Sequence, residues 1–271
     1  MTITTRDMLI DAMGNNADRL VLDKASLSNA AAGQFFSLWT ATGVPGAGSA
    51  PGAAAVPTKA TTGAFGFTNP TSPALSYLGW MTAQAGNSAT NLEIHDRLAH
   101  MGGLSGIVTT SQGALSLVTS DPGAARRGDS NFSDVQWWLE VYTEMGSTAV
   151  NATVAVTYAD DSTGNLAAFS LGATLRAGRL YPLISASAGK FIKGVTGVTL
   201  SATTGTAGNF GITATRQRAA LPMLLANKSE IFDWAQLGLP VIADDACLFP
   251  LMLCSTTTTG VVRGQGKLIH G

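Results

Sequence analysis

A two-residue alternation of apolar and polar side chains is the feature that most restricts the fold of this 271-residue chain. In the segment VQWWLEVYTE, at residues 135–144, Val135, Trp137 and Leu139 share one face of an extended strand. Trp138 lies on the other face. Similar short segments, separated by turns rich in Gly, Ser and Thr, follow at 154–158, 166–171, 180–184, 195–202, 210–216 and 261–269. The pattern predicts a mainly β fold, an antiparallel β-sandwich of the jelly-roll kind.

Other segments show the spacing of amphipathic helices. Thr90 and Glu93 have the spacing of a capping box at the start of one of them, and glycines follow others. We expect a short helix at residues 6–13, ended by Gly14, and one near 229–237, ended by Gly238. The two remaining helices are expected at 28–39 and 90–101.

The helices expected at 6–13 and 28–39 precede an uncharged stretch, TGVPGAGSAPGAAAVP, at residues 42–57. Together they indicate an N-terminal arm. We therefore expect three parts. Residues 1–57 form a helical arm with a Pro/Gly/Ala linker, 58–220 form the β-sandwich core, and 221–271 complete or extend the sandwich. The arm is expected to clamp neighbouring subunits instead of joining the sandwich core.

The low charge of the chain favours an oligomer over a free monomer. Only 12% of the residues are charged, whereas about 25% is usual in soluble proteins. A weakly charged surface suggests that neighbours cover much of it. We expect a homo-oligomer, a trimer, whose subunit contacts involve the large apolar side chains of the arm and one outward tryptophan. These are Met8, Leu9, Met13, Phe35, Phe36, Trp39 and Trp138.

Residues with catalytic or metal-binding potential do not form a recognisable motif. His95 and His100 are five residues apart, whereas a zinc-binding helix carries two histidines four apart with a glutamate between them. Asp244 and Asp245 could cap a backbone, bind an interface arginine or hold a cation. We therefore expect no enzyme activity, no catalytic residue, no metal and no cofactor.

Charge and hydropathy argue against two further partner classes. The net charge is −1, whereas nucleic-acid-binding proteins usually carry a basic face. We find no stretch of about 20 apolar residues and no secretory leader, so we expect neither nucleic-acid nor membrane binding. Cys247 and Cys254 lie seven residues apart, which is too far along one strand for a disulfide. Unless Pro250 folds the segment back, we expect buried free thiols, as in a reducing compartment.

Three stretches of the sequence resemble virion structural proteins of tailed bacteriophages that are encoded among head genes. They are HDRLAHMGGLSG at 95–106, WWLEVYTEMGSTAVNATVAVTYADDSTGN at 137–165, and AGRLYPLISASAGKFIKGVTGVTLSATTGTAGNFGITATR at 177–216. The resemblance covers roughly residues 80–270 and implies a virion component. Our preferred position is that of a capsid decoration or cement protein, bound to the major capsid protein at the capsid surface.

Two alternatives remain open at the level of sequence. One is a head-tail connector, tail or fibre protein, although a long fibre should show repeats, and we find none. The other is a carbohydrate-binding or hydrolytic β-sandwich, which needs an aromatic platform or a cleft with paired carboxylates.

Overall fold

The computed structural model describes residues 2–28, 30–173 and 175–271. It is mainly β, with antiparallel sheets and a short helix near the N-terminus, as the sequence predicted. The helices within the described residues are α1 (Arg6–Asn15), α2 (Ala124–Arg127) and α3 (Trp234–Leu237). The strands are β1 (Ala17–Lys24), β2 (Phe35–Ser37), β3 (Gly43–Val44), β4 (Ser76–Ala85), β5 (Thr90–Leu104), β6 (Leu115–Ser116), β7 (Gln136–Thr143), β8 (Val150–Tyr158), β9 (Thr163–Asn165), β10 (Phe169–Gly172), β11 (Arg179–Leu183), β12 (Ile192–Leu200), β13 (Asn209–Met223), β14 (Glu230–Phe232), β15 (Val241–Ile242), β16 (Leu248–Leu253) and β17 (Val262–His270).

The strands form a closed barrel and two open sheets. The barrel has six strands in the order β11-β2-β16-β5-β13-β7. Sheet 1 has the order β14-β4-β17-β1-β3, and β15 also pairs with β4. Sheet 2 has the order β10-β8-β12-β6, and β9 also pairs with β8. All of these pairings are antiparallel.

The barrel lies between the two sheets, and an apolar layer fills each contact. Leu139 of β7 and Ile212 of β13 share one cluster with Val154 of sheet 2. Ile94 of β5 and Leu248 of β16 share another with residues of sheet 1. A third cluster, inside the barrel, includes Trp39, Trp138, Tyr142 and Phe249. Sheet 1 packs α1 on its other face, where Leu9 and Ala12 contact Tyr77 and Ile269.

The helix predicted at 90–101 is wrong, because these residues belong to the 15-residue strand β5. β5 pairs with β13 on one side and β16 on the other. Leu92 and Ile94 point to sheet 1, while His95 and Arg97 point into the barrel. Because polar side chains occupy these buried positions, the sequence of β5 does not show the two-residue apolar alternation that is typical of a strand.

The helix predicted at 28–39 is also wrong. Its C-terminal part forms β2, which pairs with β11 and β16 and closes the barrel. The segment predicted as helix at 229–237 divides into β14 and α3, and it ends at Gly238 in the left-handed conformation, with φ 72°. The consecutive strands β12 and β13 do not form a hairpin, because β12 belongs to sheet 2 and β13 to the barrel.

The helix predicted at 6–13 is confirmed as α1, and Thr5 caps its N-terminus. The expectation that residues 1–57 lie outside the core is wrong. β1 pairs with β17 along eight residues, from Ala17↔Ile269 to Lys24↔Val262. Leu20 and Leu22 are buried against the barrel. The expected boundary at 57 falls in a loop, and the one at 220 falls inside β13.

Candidate functional site

The barrel interior holds a buried ion pair. Both terminal nitrogens of Arg97 donate hydrogen bonds to the carboxylate of Glu140, at 2.7 Å and 2.9 Å. The two side chains are at most 1% exposed. Thr213 donates to the same carboxylate, and Ser37 accepts a bond from Arg97 at 3.1 Å. The partners come from β5, β7, β13 and β2, so the cluster joins four of the six barrel strands.

The ion pair keeps both groups charged although they are buried. Burial alone would lower the pKa of Arg97, but the facing Glu140 carboxylate raises it above its usual value. Burial would likewise raise the pKa of Glu140, and the charge and hydrogen bonds of Arg97 hold it below its usual value instead. Both groups are therefore ionised at neutral pH.

Two aromatic rings enclose the guanidinium of Arg97. Its central carbon lies 4.4 Å from the ring centroid of Trp39 and 4.3 Å from that of Phe249. The planes of these two rings stand at 88° to one another. Cation–π contact of this kind strengthens when water is excluded. The cluster is therefore enclosed by its own side chains and supports the barrel.

The two histidines of β5 are buried and are held neutral. His95 lies 2.8 Å from Glu93 and 3.0 Å from Thr215. Burial lowers the pKa of His95 below its usual value, despite the nearby glutamate. Burial and the charge of Arg97 lower the pKa of His100 to about 3. The sequence excluded a zinc pair here, and the structure places both residues in the core.

A second buried ion pair attaches two loops to the outside of β5. Arg126 of α2 donates to Asp96 at 2.7 Å and 3.1 Å, and also to the carbonyl oxygens of Pro57 and Arg97. The backbone N–H of Cys247 donates to Asp96 at 2.8 Å. The pair fixes α2, the loop at residue 57 and the start of β16 on one strand.

Metal-binding and nucleophilic groups are not assembled in the described ranges. Within them, no three His, Cys, Asp or Glu residues form a group that could hold a metal ion. Asp244 and Asp245 are both exposed. Cys247 and Cys254 are buried free thiols, as predicted, and burial raises the pKa of each to about 12. Such thiols are unreactive near neutral pH.

The seven predicted interface residues are mostly inside the chain. Phe36, Trp39 and Trp138 are at most 4% exposed, and Leu9 is buried between α1 and sheet 1. The prediction that these four contact another subunit is wrong, because other parts of the same chain cover them. Met8, Met13 and Phe35 are partly buried. The predicted outward face of β7 at Trp138 is instead the inside of the barrel, where its Nε1 donates to Thr215.

An exposed apolar row, which we call the apolar edge, lies along one side of sheet 1. It borders β4, since β14 pairs with β4 at Thr82 and β15 pairs with β4 at Tyr77. Such rows on a protein surface mark interaction sites. Its five members are each at least 44% exposed: Leu224, Leu225, Ile231, Trp234 and Val241. This row was not predicted from the sequence, although the short segment 224–241 contains all of it.

A cavity of about 520 Å³ lies where β7 and β11 reach the start of β12. Phe35, Trp137, Trp138, Ile184 and Phe191 contribute to its walls. Ile184 is 72% exposed at its rim, whereas both tryptophan rings are buried. The rings do not offer the open flat platform that the carbohydrate-binding alternative required.

Comparisons with known proteins give no family. No protein family model matches the chain, and no curated protein matches it. A solved structure of the infectious bursal disease virus Gt strain is similar at 11% identity and a TM-score of 0.19, over 95% of this chain and 82% of that one. The VP2 subviral particle of infectious bursal disease virus is similar at 10% identity and a TM-score of 0.17, over 98% and 86%. TM-scores this low do not establish a common fold, and they carry no argument about function.

A membrane-spanning helix is not found among the described residues, because none of their helices combines the length and hydropathy that a crossing needs.

Proposed function

We propose that this protein is a structural component of a bacteriophage particle, a capsid decoration or cement protein that stabilises the head lattice. The apolar edge carries the proposal, because a row of five exposed large apolar side chains is typical of a surface that contacts another protein. Its partners are further copies of itself, as a trimer, and the major capsid protein. It is made in the host cytoplasm and acts on the capsid surface.

The enclosed ion pairs support this function over catalysis. Each buried charged group of β5 has a partner on β5 itself, on β7 or on α2, and these pairs are shielded from solvent. A rigid barrel between two sheets presents a fixed surface, and many weak contacts repeated over a shell add up to stable attachment. The sequence resemblance to phage head-gene products gives the virion context.

Purified phage particles test the proposal directly. Antibody labelling and particle reconstruction should place the protein on the outside of heads, both in tailed particles and in heads that lack tails. Removing it should lower the temperature at which heads release DNA. Its presence only at the neck or tail would favour the connector, tail or fibre alternative. Its absence from particles would refute a virion role.

A further inference from the structure

We propose that copies of this chain associate through the two opposite borders of sheet 1, so that the sheet continues from one subunit to the next. The apolar edge of one copy docks beside β1 of its neighbour. This inference rests on the proposed self-association and names the contact that produces it.

The border at β1 has positions that no strand pairs, and the segment 59–66 faces it across a groove. β3 pairs with β1 only at Asp23 and Lys24. Beside residues 17–22, sheet 1 has no further strand on that side within the described residues. An open strand border presents unpaired backbone groups and is a template for pairing with another chain. Val21 and Val44 are 39% and 47% exposed there.

The opposite border is formed by β14 and β15. β14 has only three residues, and Ile231 at its centre is 63% exposed. Phe232 is buried in the layer that faces the barrel, where Leu20 of β1 is also buried. Ile231 and Val21 therefore both lie on the outer face of sheet 1, since side chains alternate along a strand.

The directions of the strands agree with this contact. β1, β17, β4 and β14 alternate in direction, because each successive pair is antiparallel. When the next copy continues the sheet in the same sense, its β14 meets β1 as an antiparallel neighbour. A register that sets Ile231 opposite Val21 also sets Asp233 opposite Arg19 and Phe232 opposite Leu20. This one register therefore forms an apolar pair, a pair of opposite charges and a pair of buried side chains.

Charges on the two borders are complementary. A groove of about 350 Å³ beside β1 is lined by Arg19, Lys59, Val21 and Val44, and its described lining contains no carboxylate. Asp23 on the same strand already pairs with Arg263 at 3.2 Å. The chain segment that contains the apolar edge carries the acids Asp233, Asp244 and Asp245, and its Glu230 already pairs with its one base, Lys228, at 3.5 Å.

Asp233 retains an oxygen for the contact. Its Oδ1 accepts both backbone bonds that cap α3, from Ala235 and Gln236 at 3.0 Å each. Oδ2 has no hydrogen bond among the described residues, so it can accept one from Arg19 of the neighbour. The cap and the intermolecular ion pair therefore do not compete for the same atom.

Mixing two variants that each carry one added cysteine tests the contact. Val21→Cys and Ile231→Cys are prepared separately in the full chain, whose own two cysteines are buried. Directly opposed residues of antiparallel strands have Cα atoms about 4.5–5.5 Å apart, within the reach of a disulfide. Oxidation should link the mixed sample into dimers and leave each variant alone unlinked. The double variant should give linked species larger than a dimer.

A matched control and sedimentation separate the two levels of the proposal. Val118→Cys, exposed at 59% beyond sheet 2, should not link to Ile231→Cys. Links within Ile231→Cys alone would show that the apolar edge meets itself, and this overturns the inference. Oligomers by sedimentation without mixed links also overturn it but leave the proposed self-association standing. A monomer at all concentrations and on particles overturns both.

Discussion

Arg97 and Glu140 depend on each other inside the barrel. Their bidentate contact has one partner on β5 and the other on β7, and both side chains are nearly inaccessible to water. Removing one charge from such a pair leaves the other buried without compensation. The ion pair is therefore a point at which one substitution affects the whole barrel.

We expect Glu140→Gln to lower the free energy of unfolding by about 3–5 kcal/mol. Denaturant titration measures this difference. Glu144→Gln is the matched control, because Glu144 pairs with Arg176 at 2.7 Å but is 49% exposed. The control should change stability by about 1 kcal/mol or less. Equal effects of the two substitutions would contradict a special role for the buried pair.

The two buried histidines predict loss of stability in mild acid. Unfolded histidine takes up a proton near its ordinary pKa of about 6.5. Folded His100 stays neutral down to about pH 3, and burial also lowers the pKa of His95. The unfolded chain thus binds more protons below pH 6.5, so stability falls as the pH falls through this range.

We expect His100→Gln to reduce this pH dependence. Each histidine contributes up to about 1.4 kcal/mol per pH unit below its unfolded pKa. Unfolding free energies at pH 7.5, 6 and 5 should therefore converge in the variant relative to the natural chain. A natural chain with constant stability from pH 7.5 to 5 would disprove the assignment of neutral buried histidines.

At the scale of elements, the long strands β5 and β13 connect the two halves of the molecule. Each has 15 residues, and their pairing shifts register at three places, one of them between Gln217 and Ala219. A shift of this kind bends the strand and increases its twist. One end of the pair can then contact sheet 2 while the other contacts sheet 1.

Removal of the N-terminal elements should have graded effects. A chain that lacks residues 1–57 loses β1 and β3 from sheet 1 and β2 from the closed barrel. We expect it not to fold, as judged by circular dichroism and protease resistance. A chain that lacks only residues 1–15 loses α1 and should keep the β fold at reduced stability. A folded, soluble product of the longer deletion would restore the idea of a separate arm.

At the scale of the whole molecule, substitutions in the apolar edge should change self-association without preventing folding. The double substitution Ile231→Ser with Trp234→Ser should weaken self-association without a large loss of thermal stability, since both side chains are well exposed. Sedimentation and thermal melting measure the two effects. Val118→Ser, at a different exposed site, should leave the oligomer intact. An unchanged oligomer in the double variant would place the subunit contact elsewhere.

The sequence by itself determined the class of the fold. Alternation along residues 135–144 predicted β7, and the apolar spacing near the N-terminus predicted α1. The spacing of Cys247 and Cys254 predicted two free buried thiols. These outcomes depend on local geometry, because the period of a segment or the reach of a side chain follows from neighbouring residues alone.

Only the tertiary structure decided how the strands close and which surface stays open. β1 and β17 lie at opposite ends of the sequence, and their pairing leaves no trace in either segment. The polar face of β5 is stable because Glu140 and Thr213 arrive from other strands to satisfy it. Local patterns report which face of a segment is apolar. They do not report which strand will cover that face. For this reason the apolar edge, whose side chains stay uncovered, could not be predicted from the sequence.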